Sequence, residues 1–398
     1  MYSFTAPKSK GQMLATELKI RRNKIRVLMQ QKKIDAAIIT CNVNLLYTCG
    51  QIVSGYLYLS VDGADHLFIK RPNNLMGESI HPIRKVEQIK TFLDQNNIPT
   101  PQSVMLEAEE LPYTEYMRIA ALFPTADIVN GTPLIHEARS IKTPIEIGLF
   151  QEAAAAHVRA YQQIPSIYHR GMTDRAFSIE IEHLMRLEGS LGIFRIFGRS
   201  MEIFMGSVLT GDNATQPSPY DFALGGQGAD PSLPVGFNGS KLKEGQTVMV
   251  DIGGNFNGYI CDMSRVFSIG KIKEEAYAAH QVCLAVQDKI AALAKPGAIC
   301  QELYHTAIEM VKKSGFTAYF MGMEQQAKFI GHGIGLEINE SPVIAPRITT
   351  ELQPGMVFAL EPKIVLPQIG PVGIENSWVV TNTGVEKLTH CEESILPL

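Results

Sequence analysis

From Glu17 to Ile34 apolar side chains recur at Leu18, Ile25, Leu28 and Met29 among many charged ones, the spacing of an amphipathic surface helix. The short apolar run after Asp35, Ala36 to Thr40, predicts a buried strand. Between Tyr56 and Ile69 two β-rich stretches flank Asp62-Gly63, a pair that tolerates the positive φ angles of a tight turn, so a hairpin is expected. Further strand and helix signals continue to about residue 135, which makes this part of the chain α/β. Thr143-Pro144-Ile145-Glu146 then opens a long Ala-rich helix: Thr caps, Pro takes the first helical position and Glu returns to the cap amide. These signals divide the chain into residues 1–142 and residues 143–398.

Segment 187–240 is rich in Gly, Pro, Ser and Asn around an apolar stretch, and predicts short strands joined by loops that line a pocket. From 241 onward the pattern is a strand pair, helices over 274–294 and 300–313, a glycine-rich segment and a second strand pair, a layout that hints at an internal duplication. Length changes the picture little, since 398 residues suit two domains. Charge narrows it. A formal net charge of -4 provides no positive field for nucleic acid or anionic lipid. The amino-terminal residues lack the character of a signal peptide, no apolar run is long enough to span a membrane, and the six cysteines form no C-x-x-C pair or dense framework. A cytoplasmic protein with no nucleic-acid or membrane partner is expected.

Chemistry concentrates in the two strand pairs. Thr247-VMVDIGGNFNGYICDMSRVF places β-branched and apolar residues on both sides of Asn255-Phe256-Asn257-Gly258. A turn centred between Phe256 and Asn257 sets Asp251 directly opposite Asp262, with Cβ atoms about 4.5–5.5 Å apart. Two carboxylates so close repel by roughly 3 kcal/mol at an effective dielectric near 20, which calls for a cation between them. In Phe358-ALEPKIVLPQIGPVGIENSWVV, Glu361 and Glu375 are equidistant from Gln368, so a symmetric hairpin again opposes two acids. Between the pairs, His332 is flanked by Gly331, Gly333 and Gly335, which permit close backbone approach and positive φ. Four carboxylates and one imidazole, with no cysteine in the set, suit Mn²⁺, Co²⁺, Fe²⁺ or Zn²⁺. Bridging carboxylates would hold two such ions about 3.5–4 Å apart with a hydroxide between them.

The segments VDIGGNFNGYICDMSRVF, GHGIGLE with the following ES-P, GMVFALEP and GIENSWVV resemble the M24 family of metallopeptidases, which includes methionine aminopeptidase, Xaa-Pro aminopeptidase and prolidase. Arg139-SIKTPIEI and the α/β layout before it are similar to the prolidase and creatinase branch. The resemblance implies an α+β chain, with a pita-bread catalytic domain preceded by an α/β creatinase/prolidase-type domain. It implies that Asp251 chelates one ion, that His332 and Glu361 hold the other, and that Asp262 and Glu375 bridge. His332 and Glu361 become the catalytic pair, with Glu361 the proton shuttle for a bridging hydroxide that attacks a peptide or amide carbonyl. A homodimer acting on Xaa-Pro dipeptides or other small peptides follows from the same resemblance.

The chain departs from the family where substrate is handled. Val235 and Asn339 stand where the family's peptidases carry two substrate-contacting histidines, and Gly373 stands where prolidases often carry Arg. Asn339 retains an amide for a carbonyl, Val235 does not, and Arg199, Tyr220 and Asp221 in the loop-rich segment are the further candidates for substrate contact. Two alternatives follow from the same scaffold: a metal-dependent lyase or amidohydrolase acting on another small molecule, and a catalytically silent binding protein.

Overall fold

A computed structural model describes residues 8–63, 65–193, 195–198 and 205–398, and the chain divides into two compact units, Met1–Arg139 and Ser140–Leu398. In the first, α1 (Lys8–Lys32), β1 (Ala36–Ile39), α2 (Asn42–Cys49), β2 (Ser54–Ser60), β3 (Asp65–Arg71) and β4 (Ile80–Pro82) are followed by α3 (Gln88–Gln95), β5 (Ser103–Leu106), α4 (Tyr113–Ala120) and β6 (Asp127–Asn130). The strands form one mixed sheet in the order β4-β3-β2-β1-β5-β6, and α5 (Thr132–Ser140) ends at the unit boundary. All four residues of β1 are buried, as its unbroken apolar run requires of a central strand covered on both faces. The expected hairpin is present: β2 and β3 are antiparallel, with Gly63 of the connecting turn at φ 102°. Ile25 and Met29 of α1 are buried one turn apart. The buried Glu107 carboxylate, beside β5, accepts the backbone N–H groups of Thr40 (2.7 Å) and Cys41 (2.9 Å) and so satisfies donors at the start of α2.

In the second unit, α6 (Pro144–Ile167), α7 (Asp174–Leu187), β7 (Gly206–Thr210), β8 (Thr247–Asn255) and β9 (Ile260–Ser268) precede α8 (Glu274–Leu293) and α9 (Cys300–Ser314). Then come β10 (Gly331–Gly333), β11 (Glu340–Ile344), β12 (Val357–Leu360), β13 (Lys363–Leu366), β14 (Gly370–Gly373), β15 (Asn376–Val380), β16 (Val385–Lys387) and β17 (Leu396–Pro397). They form sheets ordered β17-β9-β8-β7 and β11-β10-β12-β15-β16, with β13-β14 as a separate ribbon. Ile164, Phe177 and Ile181 of α6 and α7 pack on Val248, Val250 and Phe267 of the first sheet. Val286, Ile290, Ala307 and Val311 of α8 and α9 pack on Phe358, Leu360 and Ile364. The unit is thus an α+β body with helices backing sheets whose other surfaces carry the acidic hairpins.

The helix start at Thr143 is the expected capping box, with Thr143 Oγ1 accepting from the Glu146 N–H (3.2 Å) and Glu146 Oε2 accepting from the Thr143 N–H (2.8 Å). Segment 187–240 differs from expectation, since among its described residues only β7 is a strand. Asn213 explains this: its Nδ2 donates to Gly236 O and its Oδ1 accepts from Gln227 N–H, both at 2.9 Å. Side-chain amides and glycine turns there satisfy backbone groups that strand pairing would otherwise claim. Among the described residues no helix is long and apolar enough to cross a membrane.

Candidate metal centre

The first acidic hairpin forms on β8 and β9 in a register two residues from the expected one. Asp251 faces Ser264, and Asp262 faces Gly253. The turn explains the shift. Asn255 Oδ1 accepts the Gly258 N–H (2.9 Å), Asn257 Nδ2 donates to Leu149 O (2.9 Å), and Gly258 takes φ 103°, so the loop closes between Asn255 and Ile260. A shift of two conserves the face, because side chains alternate with period two. Asp251 and Asp262 therefore share a face as diagonal rather than direct neighbours.

The second hairpin keeps its expected register, with Leu360 facing Asn376 and Lys363 facing Gly373. Glu361 and Glu375 fall in the interruption where β12 gives way to β13 and β14 to β15, opposite each other. His332 lies on β10 between Val343 of β11 and Ala359 of β12. The flanking glycines serve close approach only. A Cβ at Gly331 would lie 2.4 Å from Ala359 O and one at Gly333 2.3 Å from the Ser341 backbone, while Gly331, Gly333 and Gly335 have no positive φ.

All five expected ligands converge. His332 Nε2 is 3.2 Å from Glu361 Oε1 and 3.7 Å from Asp262 Oδ2. Two triplets offer ligand atoms mutually within 4.8 Å, Asp262 with His332 and Glu375, and Asp251 with Glu361 and Glu375. A cavity of about 270 Å³ opens on them, with Phe222, Phe329 and Asn339 completing much of its wall. The sequence reasoning missed a sixth member. Lys363, fully buried, donates from Nζ to Glu361 Oε2 (2.6 Å), Asp251 Oδ2 (2.8 Å) and Glu375 Oε2 (3.1 Å). The sequence held only a partial signal: a residue two places after Glu361 in extended chain returns to the same side, but the strand is interrupted between Leu360 and Lys363.

Burial dominates the electrostatics. It pushes the Asp262 carboxyl up to about 7, reinforced by the charge of Asp251. It raises Glu375 well above the ordinary range, reinforced by Asp262 and Glu361. For Glu361 burial also raises the pKa, but the Lys363 charge and the His332 hydrogen bond prevail and bring it to about 2. Burial opposes charge on His332, yet the Glu361 hydrogen bond and charge lift it to about 9.

The hairpins are anchored from behind. Ser264 Oγ donates to Glu375 Oε2 (2.5 Å), and Ser377 Oγ donates to Asp262 O (2.8 Å) and accepts from Asp262 N–H (3.0 Å). Arg265, also missed, is buried and donates to Glu375 O, Ser264 O and Asn376 Oδ1, each at 2.8 Å. The expected substrate residues scatter. Asn339 lines the cavity, but Oδ1 accepts from Phe197 N–H (2.8 Å) and Nδ2 donates to Phe197 O (2.6 Å), so its amide braces the 195–198 loop. Asp221 lines the same cavity. Tyr220 lines a neighbouring one of about 370 Å³, Val235 is buried and lines neither, and Arg199 lies outside the described residues.

The donor set fits a divalent cation, and one atom argues for it directly: Glu375, which belongs to both triplets, has its Oε1 buried with no hydrogen-bond partner. Buried acids and an imidazole opposed across a small cavity, on a sheet pair backed by helices, have the makeup of a metallohydrolase centre. Residues 148–382 match the model of metallopeptidase family M24 and residues 21–141 that of the creatinase/prolidase N-terminal domain. The chain belongs to metallopeptidase family M24. It is 27% identical over 385 residues to the uncharacterized peptidase YqhT of Bacillus subtilis, covering 95% of this chain and all of that one. It is 26% identical over 383 residues to the Xaa-Pro dipeptidase of Pyrococcus furiosus, with the same coverage. Among solved structures, the Xaa-Pro dipeptidase from Bacillus anthracis shares its fold with a TM-score of 0.78 at 23% identity, over 96% of this chain and 100% of that one. The X-Pro aminopeptidase from Thermotoga maritima also scores 0.78 at 22% identity, over 95% and 99%. The fold expected from the resemblance, a pita-bread catalytic domain after an α/β amino-terminal one, is thereby established.

Proposed function

We propose that this chain hydrolyses small peptides in the manner of an Xaa-Pro dipeptidase, using divalent metal held by Asp262, His332, Glu361, Glu375 and Asp251. The observation that carries the reading is the convergence of five side chains from separate elements on one cavity, with Glu375 Oε1 left to be satisfied by a cation. Near full-length likeness to Xaa-Pro dipeptidases supports the substrate class. A bound Mn²⁺, Co²⁺, Fe²⁺ or Zn²⁺ supplies Lewis acidity and lowers the pKa of water. Glu361 lines the cavity and would be the general base for the attacking water. His332, presented on β10, would supply Nε2 to the cation in place of its present contact with Glu361 Oε1. Phe222 and Phe329 exclude water and favour a compact apolar group such as a proline ring. The two-ion arrangement implied by the family meets an obstacle in Lys363, whose ammonium lies among Asp251, Glu361 and Glu375.

One observation favours a second reading, in which the same centre acts on a non-peptide small molecule. Neither position that carries a substrate-contacting histidine in related peptidases offers a free donor here, since Val235 is buried away from the cavity and the Asn339 amide is engaged with Phe197. A reducing compartment is supported by six free cysteines, and a homodimer by likeness to the prolidase branch alone. The test is an assay of purified, Mn²⁺-loaded protein against a panel of Xaa-Pro and other dipeptides. Turnover that prefers Xaa-Pro and is lost in Glu361→Gln is expected. Absence of turnover on every dipeptide by metal-loaded protein would exclude the peptidase reading and leave the non-peptide one.

A further inference from the structure

We propose that the Lys363 ammonium permanently takes the place of one cation, so that this centre holds a single divalent ion on the Asp262, His332 and Glu375 side. The proposal rests on the metallohydrolase reading above and changes its form.

Asp251, Glu361 and Glu375 compose one of the two triplets close enough to share an ion, and Lys363 Nζ makes hydrogen bonds to a carboxylate oxygen of all three. A divalent ion in that triplet would need oxygens about 2.0–2.2 Å away, so it would occupy the same space as Nζ and carry like charge. The two are alternatives. Each of the ammonium's three protons has a carboxylate acceptor, which leaves the lysine fully satisfied without an ion.

The lysine has nowhere else to go. Its side chain is 1% exposed, its carbonyl accepts from Met321 N–H (2.8 Å), and it opens β13 directly across from Gly373. A Cβ at Gly373 would lie 2.8 Å from Lys363 Cα and 3.1 Å from its Cγ. The bare backbone at 373 is therefore what admits the lysine stem.

On the opposite side of Glu375, Oε1 is buried without a partner while Oε2 is already claimed by Lys363 and Ser264. Glu375 is thus divided between a protein cation on one oxygen and an unmet demand on the other. Asp262 and His332 form the other triplet with Glu375, and Glu361 Oε1 stands 3.2 Å from His332 Nε2 beside it. Aspartate, glutamate and an imidazole that gives up its proton on metal binding make a site for a single borderline dication.

The experiment is metal counting on the full-length chain. Metal-free protein is dialysed against excess Mn²⁺, freed of unbound ion, and analysed by inductively coupled plasma mass spectrometry, for wild type and Lys363→Ala. One equivalent in wild type and two in Lys363→Ala is the expected result. Two equivalents in wild type would overturn the proposal while leaving the metallohydrolase reading intact. One equivalent in both would also overturn it, because the lysine would not be what limits the count. No metal in wild type would remove both the proposal and the reading it rests on. Should Lys363→Ala fail to fold, electron paramagnetic resonance of Mn²⁺-loaded wild type decides. An uncoupled six-line spectrum is expected, and the spin-coupled spectrum of a manganese pair would overturn the proposal.

Discussion

Arg265→Met removes the guanidinium that ties the acidic hairpins to the carboxyl-terminal segment. Arg265 is 2% exposed and donates to Glu392 O (2.7 Å), Ser264 O (2.8 Å), Glu375 O (2.8 Å), Asn376 Oδ1 (2.8 Å) and Cys391 O (3.3 Å). Methionine matches much of its length and donates nothing. Each buried acceptor left unpaired costs about 1–3 kcal/mol, but the backbone relaxes, and the largest single substitutions cost about 4–5 kcal/mol, so about 4 kcal/mol is expected. At roughly 2–4 °C per kcal/mol for a unit of this size, the melting temperature should fall by about 8–16 °C. Because one acceptor is the main-chain carbonyl of Glu375, metal affinity should fall as well, by about 10–100-fold as for other groups that orient ligands. Calorimetry of the metal-free protein and competition with a chromophoric chelator measure the two effects. Arg265→Lys keeps the charge with fewer donors and should recover part of each. A melting temperature within about 2 °C of wild type, with unchanged metal affinity, would refute the claim that this fan of bonds positions Glu375.

Two further outcomes follow from buried groups in the same unit. His157 is fully buried, and burial, with the nearby Arg265 charge, lowers its pKa to about 3. The unfolded chain takes up that proton below about pH 6.5 while the folded one stays neutral to about 3, so stability is lost as pH falls through that window. Urea unfolding at pH 7 and pH 5 should show wild type losing about 2 kcal/mol more than His157→Phe, and equal losses would contradict it. Thr143→Ala breaks the capping box of α6 and should cost about 1 kcal/mol in chemical denaturation, with Thr143→Ser close to wild type. An unchanged midpoint for Thr143→Ala would mean that the tertiary bond from Tyr259 Oη to Glu146 (2.7 Å) holds the helix start unaided.

Local chemistry determined much of this protein from its sequence alone. Apolar and β-branched runs beside turn residues placed the hairpin strands, Thr143 and Glu146 placed a helix start, and glycines around His332 marked a place where backbones meet. The symmetric second hairpin was legible too, because its register depends on spacing about Gln368. Only the tertiary structure decided the rest. Whether Asp251 stands opposite Asp262 or diagonal to it turned on Asn255 and Gly258 in the loop, a choice that leaves the alternation pattern unchanged. Asn339 was available to substrate on paper, and became a brace only when the 195–198 loop came to lie against it. The ammonium of Lys363 among the acids required a break between β12 and β13, a bare backbone at Gly373, and carboxylates drawn from residues more than a hundred positions apart. Pattern records what each residue prefers of its neighbours in the chain, whereas a buried charge is placed by whichever distant groups can neutralise it.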